Sequence, residues 1–223
     1  MKKKTTQYLV KRVAKALKEE KDQYWTTDHL PWRKNRTPYR TFIAEFLLVR
    51  TRTDLVERLF GIFITKYPDI NVLANSDLDE LSGDLRSLGL KKRVPLILQA
   101  AKFVVKEFNG EIPYEIDKLL SIPGIGLYTA TAIAAFSFDS PEVPADVNIL
   151  RFLSRLTGIS MEHPTKGSSE LRALLPYLSK ADGGPKPEDL LDFTRQICCP
   201  RKPKCQTCIL NKNCHYYHGH LSA

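Results

Sequence analysis

The chain has 223 residues, enough for one large domain or two small ones with a real apolar core. Its net charge of +9 favours a nucleic acid or another polyanion as partner, and an inert basic surface is the alternative. Residues 1–25 mix charged side chains with Leu9, Val10, Val13 and Leu17 and show no secretory signal, and no apolar run is long enough to span a bilayer. We therefore expect a soluble protein of a reducing, cytoplasmic compartment with no membrane partner.

The fold class follows from hydrophobic periodicity. Apolar residues recur at steps of three and four, the period of an α-helix, in Thr41–Thr51, Asp54–Tyr67, Lys92–Phe108 and Leu171–Leu178. Proline and glycine break the pattern between and beyond these runs, at Asn109-Gly110, Pro113, Pro141, Pro144 and Gly183-Gly184-Pro185. The alternation typical of strands is scarce. The sequence predicts an all-α protein.

Glu45 is the first candidate for chemistry. It stands between Ile43 and Phe46 in the first helical run, and unpaired carboxylates seldom occupy such an apolar face. Burial would raise its pKa and make it a candidate acid or base near neutral pH. A buried ion pair with Arg50 or Arg52 is the structural alternative.

The stretch Leu119–Phe138 carries a glycine turn, Pro123-Gly124-Ile125-Gly126, between a short helix and a longer apolar one. Glycines let the backbone approach a ligand closely, and the helix that follows offers N–H groups and the positive end of its dipole. This combination can hold a phosphate through main-chain donors. An ordinary helical corner packed in a core is the alternative.

Asp146 begins a further helical run, Ile149–Gly158. Aspartate is a preferred N-cap, which is its structural interpretation. It also follows the glycine turn by about 20 residues, so its carboxylate could lie beside a sugar anchored at that turn. Two carboxylates in different environments, Glu45 and Asp146, suit the cleavage of a glycosidic bond.

Four cysteines, Cys198, Cys205, Cys208 and Cys214, are spaced C-x6-C-x2-C-x5-C near the end of the chain. In a reducing compartment such a cluster indicates a metal site rather than disulfides. Zinc and a [4Fe–4S] cluster both accept four cysteines, and the single C-x2-C hook favours the cluster without excluding zinc. Cys199 adjoins Cys198, and we interpret it as a bystander.

The order of these motifs resembles one family. Leu30-Pro31-Trp32, Pro38-Tyr39, a helix with Glu45, the Ile122–Gly126 turn, a following Asp and the cysteine quartet together resemble the helix-hairpin-helix DNA glycosylases of the endonuclease III superfamily. The resemblance covers roughly residues 30–214 and is far more specific than any single motif. It implies a monomer that acts on double-stranded DNA containing a mismatch or a damaged base, in the cytoplasm at the nucleoid.

The resemblance also implies domains and a cofactor. It predicts a six-helix bundle domain over residues 30–137 and a cluster domain formed by 1–29 plus 138–223. It implies a [4Fe–4S] cluster held by Cys198, Cys205, Cys208 and Cys214, and phosphate contacts from the basic loop residues Arg201, Lys202 and Lys204.

Tyr128 indicates the subclass. Members that also cut the backbone carry a lysine after the hairpin, which forms a Schiff base, whereas a phenol cannot form that imine. A tyrosine here is similar to the mismatch-specific thymine glycosylases, so we expect a monofunctional enzyme with little or no lyase activity. The alternative is an aromatic that packs in the hairpin core.

The adenine glycosylases are the rival branch. They carry two glutamines where this chain has Val49 and Arg50, and they append a further domain, whereas nine residues follow Cys214. The thymine branch usually has two arginines at those positions, so the match to it is imperfect.

The predicted mechanism is base flipping followed by hydrolysis. Arg50 fills the vacated stack, and the Gly124 and Gly126 amides hold the phosphate beside the lesion. Asp146 stabilises positive charge on the sugar, Glu45 orients water or assists the departing base, and Tyr128 lines the pocket. The products are thymine or uracil and an abasic site. A DNA-binding module without catalysis and an abasic-site lyase are the other hypotheses; the pair of carboxylates disfavours the first and Tyr128 the second.

Overall fold

The structure of the chain, a computed structural model, describes residues 3–20, 29–49, 51–163 and 168–220. These residues form helices and connecting turns and contain no strand, so the predicted all-α class is confirmed for them. In the same ranges no helix is both long and apolar enough to cross a bilayer.

The helices follow in chain order. The α-helices are α1 (Lys3–Glu19), α2 (Pro31–Lys34), α3 (Pro38–Leu48), α4 (Thr53–Lys66), α5 (Ile70–Ala74), α6 (Leu78–Asp84), α7 (Val94–Phe108), α8 (Ile116–Ser121), α9 (Leu127–Phe138), α10 (Val147–Thr157), α11 (Ser169–Arg172), α12 (Pro187–Gln196) and α13 (His215–His220). The 3-10 helices are Arg86–Leu88, Leu175–Leu178, Lys180–Asp182, Cys205–Thr207 and Asn211–Asn213.

The chain divides into two compact units. One, here called the hairpin unit, is Asp28–Ser140 and contains α2 to α9. The other, here called the cysteine unit, combines Met1–Thr27 with Pro141–Ala223. It contains α1 and α10 to α13, so its two parts come from opposite ends of the sequence.

The hairpin unit is built around α3, which buries seven consecutive residues from Thr41 to Leu47. A helix that is buried on all sides lies inside the core rather than on its surface. The rings of Phe42 and Phe46 contact each other at a tilt of 54°, with centroids 4.9 Å apart, and α9 packs along α3. The core of this unit therefore surrounds the helix that carries Glu45.

Side chains and backbone conformation set the helix boundaries in the hairpin unit. Thr37, Asp69 and Asp77 cap α3, α5 and α6 by accepting hydrogen bonds from first-turn amides. Asn109 and Asp139 end α7 and α9 in the left-handed conformation. These local signals explain why the short helices stop where they do.

The cysteine unit has a smaller core between α10 and α12. Ile149, Leu150 and Leu153 are fully buried on α10, and Phe152 meets Phe193 edge-on at 5.3 Å. α1 contributes Val10, Val13, Ala14 and Leu17 from one face. The helix predicted over Leu171–Leu178 is instead α11 followed by the 3-10 helix Leu175–Leu178, because Pro176 lacks the N–H that an α-helix needs there.

Candidate active site and cysteine cavity

The predicted glycine turn lies between α8 and α9. The Ile125 N–H donates to the Ile122 carbonyl at 3.1 Å and closes it. Gly124 has φ of 83°, a conformation that other residues adopt at a cost. A Cβ at this position would lie 3.2 Å from Phe46 Cε1 and 3.3 Å from Leu96 Cδ2. Glycine is therefore favoured here both by the backbone conformation and by the close packing of the turn against α3 and α7.

The start of α9 has the features of an anion site. Gly126 is its N-cap and has no side chain, and a Cβ there would meet nothing within 4 Å. The first turn of this 12-residue helix contains no acidic residue. The open space beside Gly126 and the lack of an acidic side chain in the first turn make the positive end of this helix suited to a phosphate oxygen.

Glu45 lies in the buried middle of α3 and is 6% exposed, as its apolar neighbours predicted. The Arg93 guanidinium donates to the carbonyls of Phe46 at 3.3 Å and Val49 at 2.9 Å, which caps the end of this helix. Arg52, one of the suggested partners of Glu45, donates to both carboxylate oxygens of Asp54 at 3.0 and 2.9 Å. Arg50, the other partner and the predicted wedge, lies outside the described residues.

Tyr128 lies in the first turn of α9, two residues beyond Gly126, and is half-buried. Its carbonyl accepts a hydrogen bond from the Thr131 hydroxyl at 2.9 Å. The hairpin unit thus gathers the glycine turn, Tyr128 and the helix of Glu45, since the turn touches Phe46, the next residue after Glu45.

Asp146 is the N-cap of α10, as predicted, with φ of −69° and ψ of 142°. Its Oδ1 accepts from the Asn148 N–H at 2.6 Å, a short cap bond that fixes the carboxylate at the helix start. The Asn148 side chain in turn accepts from Arg151 at 2.8 Å, and Arg151 donates to the Cys198 carbonyl at 3.1 Å. A chain of hydrogen bonds therefore links the Asp146 cap to the first cysteine of the quartet.

The four predicted metal ligands line one cavity in the cysteine unit. Apolar side chains of α10 and α12, including Phe152, Leu156 and Phe193, form the rest of its wall together with Leu210. Cys199 is absent from this wall, and its thiol donates to the Lys202 carbonyl at 3.2 Å. The spacing C-x6-C-x2-C-x5-C therefore folds so that four of the cysteines line the cavity and Cys199 does not.

Arg155 fixes the first part of the cysteine segment, defined here as residues 198–214. Its guanidinium donates to the carbonyls of Cys198, Cys199 and Pro200 at 3.2, 2.7 and 2.8 Å and to the Cys198 sulfur at 3.5 Å. Its own carbonyl accepts from the Cys214 thiol at 3.4 Å. One residue of α10 thus contacts both ends of the segment.

The thiols occupy an environment that disfavours charge. Burial raises the pKa of Cys208 to about 11, and it also raises the pKa of Cys198 and Cys205. A metal binds the thiolate, so loading this site would release protons. Within the described part of the chain, no three His, Cys, Asp or Glu side chains lie close enough together to hold a single metal ion.

The basic loop between the first two cysteines is exposed. Arg201, Lys202 and Lys204 all have exposed side chains, and the Lys204 N–H donates to the Ile197 carbonyl at 2.9 Å, which closes the loop. Three cations on a short closed loop form a surface suited to phosphates.

The sequence did not predict the hydrogen-bonding role of four residues near these sites. Arg93, Arg151 and Arg155 each donate to backbone carbonyls next to a predicted site residue, and the Asn148 side chain accepts from Arg151. The available signal was the spacing of Arg151 and Arg155 by about one helical turn, which places both on one face of α10. Their acceptors lie 43 to 47 residues away, so the sequence alone could not identify them.

A short helix, a tight glycine turn and a second helix make this chain a helix-hairpin-helix protein. The profile of the "HhH-GPD superfamily base excision DNA repair protein" matches residues 43–177, more than half of the sequence. The chain belongs to this superfamily, and the resemblance drawn from its motif order is confirmed.

Individual relatives agree with this assignment. The chain is 33% identical over 201 residues to a thymine/uracil-DNA glycosylase of Methanothermobacter thermautotrophicus, covering 87% of this chain and 90% of that one. Its structure is similar to a thermostable thymine-DNA glycosylase, with a TM-score of 0.82, 29% identity and coverage of 94% and 97%. It is also similar to a trapped endonuclease III–DNA covalent intermediate, with a TM-score of 0.75, 25% identity and coverage of 98% of each chain.

Proposed function

We propose that this chain is a monofunctional DNA glycosylase of base excision repair. It hydrolyses the N-glycosidic bond of thymine or uracil mispaired with guanine and leaves an abasic site. The observation that carries this proposal is Asp146, whose carboxylate is fixed at the start of α10 with only Oδ1 used in the cap bond. The similarity to a thymine/uracil-DNA glycosylase over most of both chains supports the choice of base.

Binding of the duplex involves the hairpin. The amides of Gly124 and Gly126 hold a phosphate beside the lesion, where α9 offers its positive end and the open surface at Gly126 admits a close approach. Arg201, Lys202 and Lys204 contact further phosphates. These contacts fix the register and carry no sequence information, so discrimination comes from the base pocket and from the ease of extruding a mispaired base.

The chemical step takes place on the flipped nucleotide. Oδ2 of Asp146 faces the sugar and stabilises the positive charge that develops as the base departs with the bonding electrons. Water adds its oxygen to the anomeric carbon and gives up a proton, while the departing base takes one up. Glu45 orients this water or assists the base, Tyr128 lines the pocket, and Arg50 fills the vacated stack.

The same residues account for the absence of strand cleavage. A lyase needs an amine that forms an imine with the sugar, and the position after the hairpin holds a phenol in Tyr128 instead. The reaction therefore ends at the abasic site.

The quartet Cys198, Cys205, Cys208 and Cys214 holds a [4Fe–4S] cluster. The presence of all four cysteines in the wall of one cavity supports this. The bound cluster cross-links the cysteine segment, which contains little apolar surface. Its role is to fold this segment and present the basic loop.

The proposed organisation keeps a six-helix bundle domain over 30–137 and a cluster domain over 1–29 plus 138–223. The protein acts as a monomer on mismatched or damaged duplex DNA in the cytoplasm, at the nucleoid.

A panel of duplexes tests the proposed function. We expect release of thymine from G·T and of uracil from G·U, with strand breaks only after alkali and no adduct trapped by borohydride. Adenine opposite 8-oxoguanine and thymine glycol in the same sequence are the controls. Release of adenine alone, or a borohydride-trapped adduct, would contradict the assignment.

A further inference from the structure

The exposed face of α1 carries a row of cations around one aromatic ring. Its members recur at steps of four and three residues, on the face opposite the buried Val10, Val13, Ala14 and Leu17. The row, here called the α1 stripe, consists of Lys4, Tyr8, Lys11, Lys15 and Lys18. Tyr8 is 65% exposed, and no other exposed residue of α1 in the described range is aromatic or aliphatic.

All members of the stripe except Lys4 line a concave surface whose wall also includes Arg12, Glu19, Asp182 and Gly183. Lys11 attaches α1 to this wall, because its Nζ lies 3.2 Å from Asp182 Oδ2 and 5.3 Å from the centre of the Tyr177 ring. The Lys15 Nζ lies 3.9 Å from Glu19 Oε1, and an exposed ion pair of this kind contributes little to stability. Most of the ammonium groups of the stripe therefore remain exposed to solvent.

The surroundings of the stripe are basic as well. The cysteine unit carries 19 Lys and Arg against 11 Asp and Glu, a net charge of +8 out of the +9 of the chain. Arg12 donates to the Asn213 side chain at 3.5 Å, which brings α1 beside the cysteine segment with its exposed Lys212. Two basic elements of one unit thus adjoin each other.

We infer that the α1 stripe binds the sugar–phosphate backbone of duplex DNA outside the lesion. This inference rests on the proposed function for the presence of DNA. From Lys4 to Lys18 the stripe extends about 21 Å, over which one strand of B-DNA presents about six phosphates. Lysine ammonium groups pair with phosphates, and the Tyr8 hydroxyl adds a neutral donor of a kind that often contacts them.

The composition of the stripe favours DNA over a protein partner. Protein interfaces depend on buried aromatic or aliphatic anchors and are depleted in lysine. Here every exposed position of α1 except Tyr8 is polar or charged. A polyanion gains from each cation without needing a pocket.

Neutralising two lysines tests the inference, with a matched pair as control. K15Q/K18Q removes two charges from the stripe, and K102Q/K106Q removes two from the exposed face of α7. Each pair includes one lysine near an acidic residue, Glu19 or Glu107, and lysine and glutamine have similar helix propensity. Binding to an undamaged duplex is measured as a function of salt, and base release is measured in single turnovers at saturating enzyme.

Affinity falls as salt rises, and we expect this fall to be less steep in K15Q/K18Q. The magnitude of the slope of log affinity against log salt should decrease by about 1.8, since each phosphate contact contributes about 0.9. The single-turnover rate of this variant should equal that of the wild type, and K102Q/K106Q should keep the wild-type slope. An unchanged slope in K15Q/K18Q, or an equal decrease of the slope in K102Q/K106Q, would overturn the inference. If the wild type binds DNA with this stripe dependence but releases no base, the proposed function fails and the inference stands.

Discussion

In the hairpin unit, α3 buries seven consecutive side chains, whereas the cysteine segment of the other unit buries only Leu210. The first is stabilised by apolar packing, with aromatic pairs such as Phe42 and Phe46 around it. The second contains two 3-10 helices. Its first residues are held by hydrogen bonds from Arg151 and Arg155 to the carbonyls of residues 198–200, and four of its cysteines line one cavity. The hairpin unit is therefore stabilised by its own core, whereas the cysteine segment depends on hydrogen bonds and, in the proposed function, on the cluster that its cysteines would hold.

The largest expected effect is in the cysteine segment. Cys208→Ser removes one of the four cysteines that line the cavity, and if these hold the proposed cluster, we expect the variant to lack the iron and visible colour of the parent protein. The free energy of unfolding should fall by about 3 kcal/mol or more, because a bound structural metal group contributes directly to folding. For a chain of this size that corresponds to a fall of about 6–12 °C in Tm. Iron content and thermal unfolding are the measurements.

Cys199→Ser is the matched control, since this thiol donates to a carbonyl and lies outside the cavity wall. It should retain iron and lose little stability. Full iron content in Cys208→Ser, or loss of iron in Cys199→Ser, would show that the cavity has been assigned to the wrong thiols.

A smaller effect is expected in the hairpin unit. Gly124→Ala forces a side chain into the left-handed conformation and toward Phe46 and Leu96, and we expect a loss of about 1–2 kcal/mol with iron content unchanged. Chemical denaturation measures it. Gly126→Ala, where φ is −98° and the space is open, should change stability by less than about 0.5 kcal/mol. Equal losses in the two variants would mean that the turn is not packed as described.

Local signals explain what the sequence predicted correctly. The turn at Gly124, the cap at Asp146 and the burial of Glu45 each depend on a few neighbouring residues, and all three are present in the structure. The predicted helix over Leu171–Leu178 was wrong in its second half, because the apolar period continues across Pro176 while the backbone does not.

Contacts between residues far apart in the chain could not be predicted from the sequence. Arg93 caps α3 from a position 44 residues away, and Arg155 binds carbonyls 43 to 45 residues away. An exposed arginine and one that holds a distant loop look alike in the sequence, since the difference depends on which carbonyls the fold brings near. The spacing set four cysteines apart from Cys199, and the structure places those four in the wall of one largely apolar cavity; their role as metal ligands stays a prediction.

The most direct test of the account is the single-turnover rate of base release from a G·T duplex by Asp146→Asn. Asparagine caps helices as well as aspartate does and keeps the acceptor for the Asn148 N–H, so the fold and DNA binding should persist. Only the carboxylate charge is lost. Asp69→Asn, the same change at the cap of α5, is the control and should leave the rate unchanged.

If Asp146 stabilises the charge that develops on the sugar, its Asn variant should bind the duplex normally and release base about 100- to 1,000-fold more slowly, or not at all. A rate equal to that of the wild type would contradict the central claim and reduce Asp146 to a helix cap.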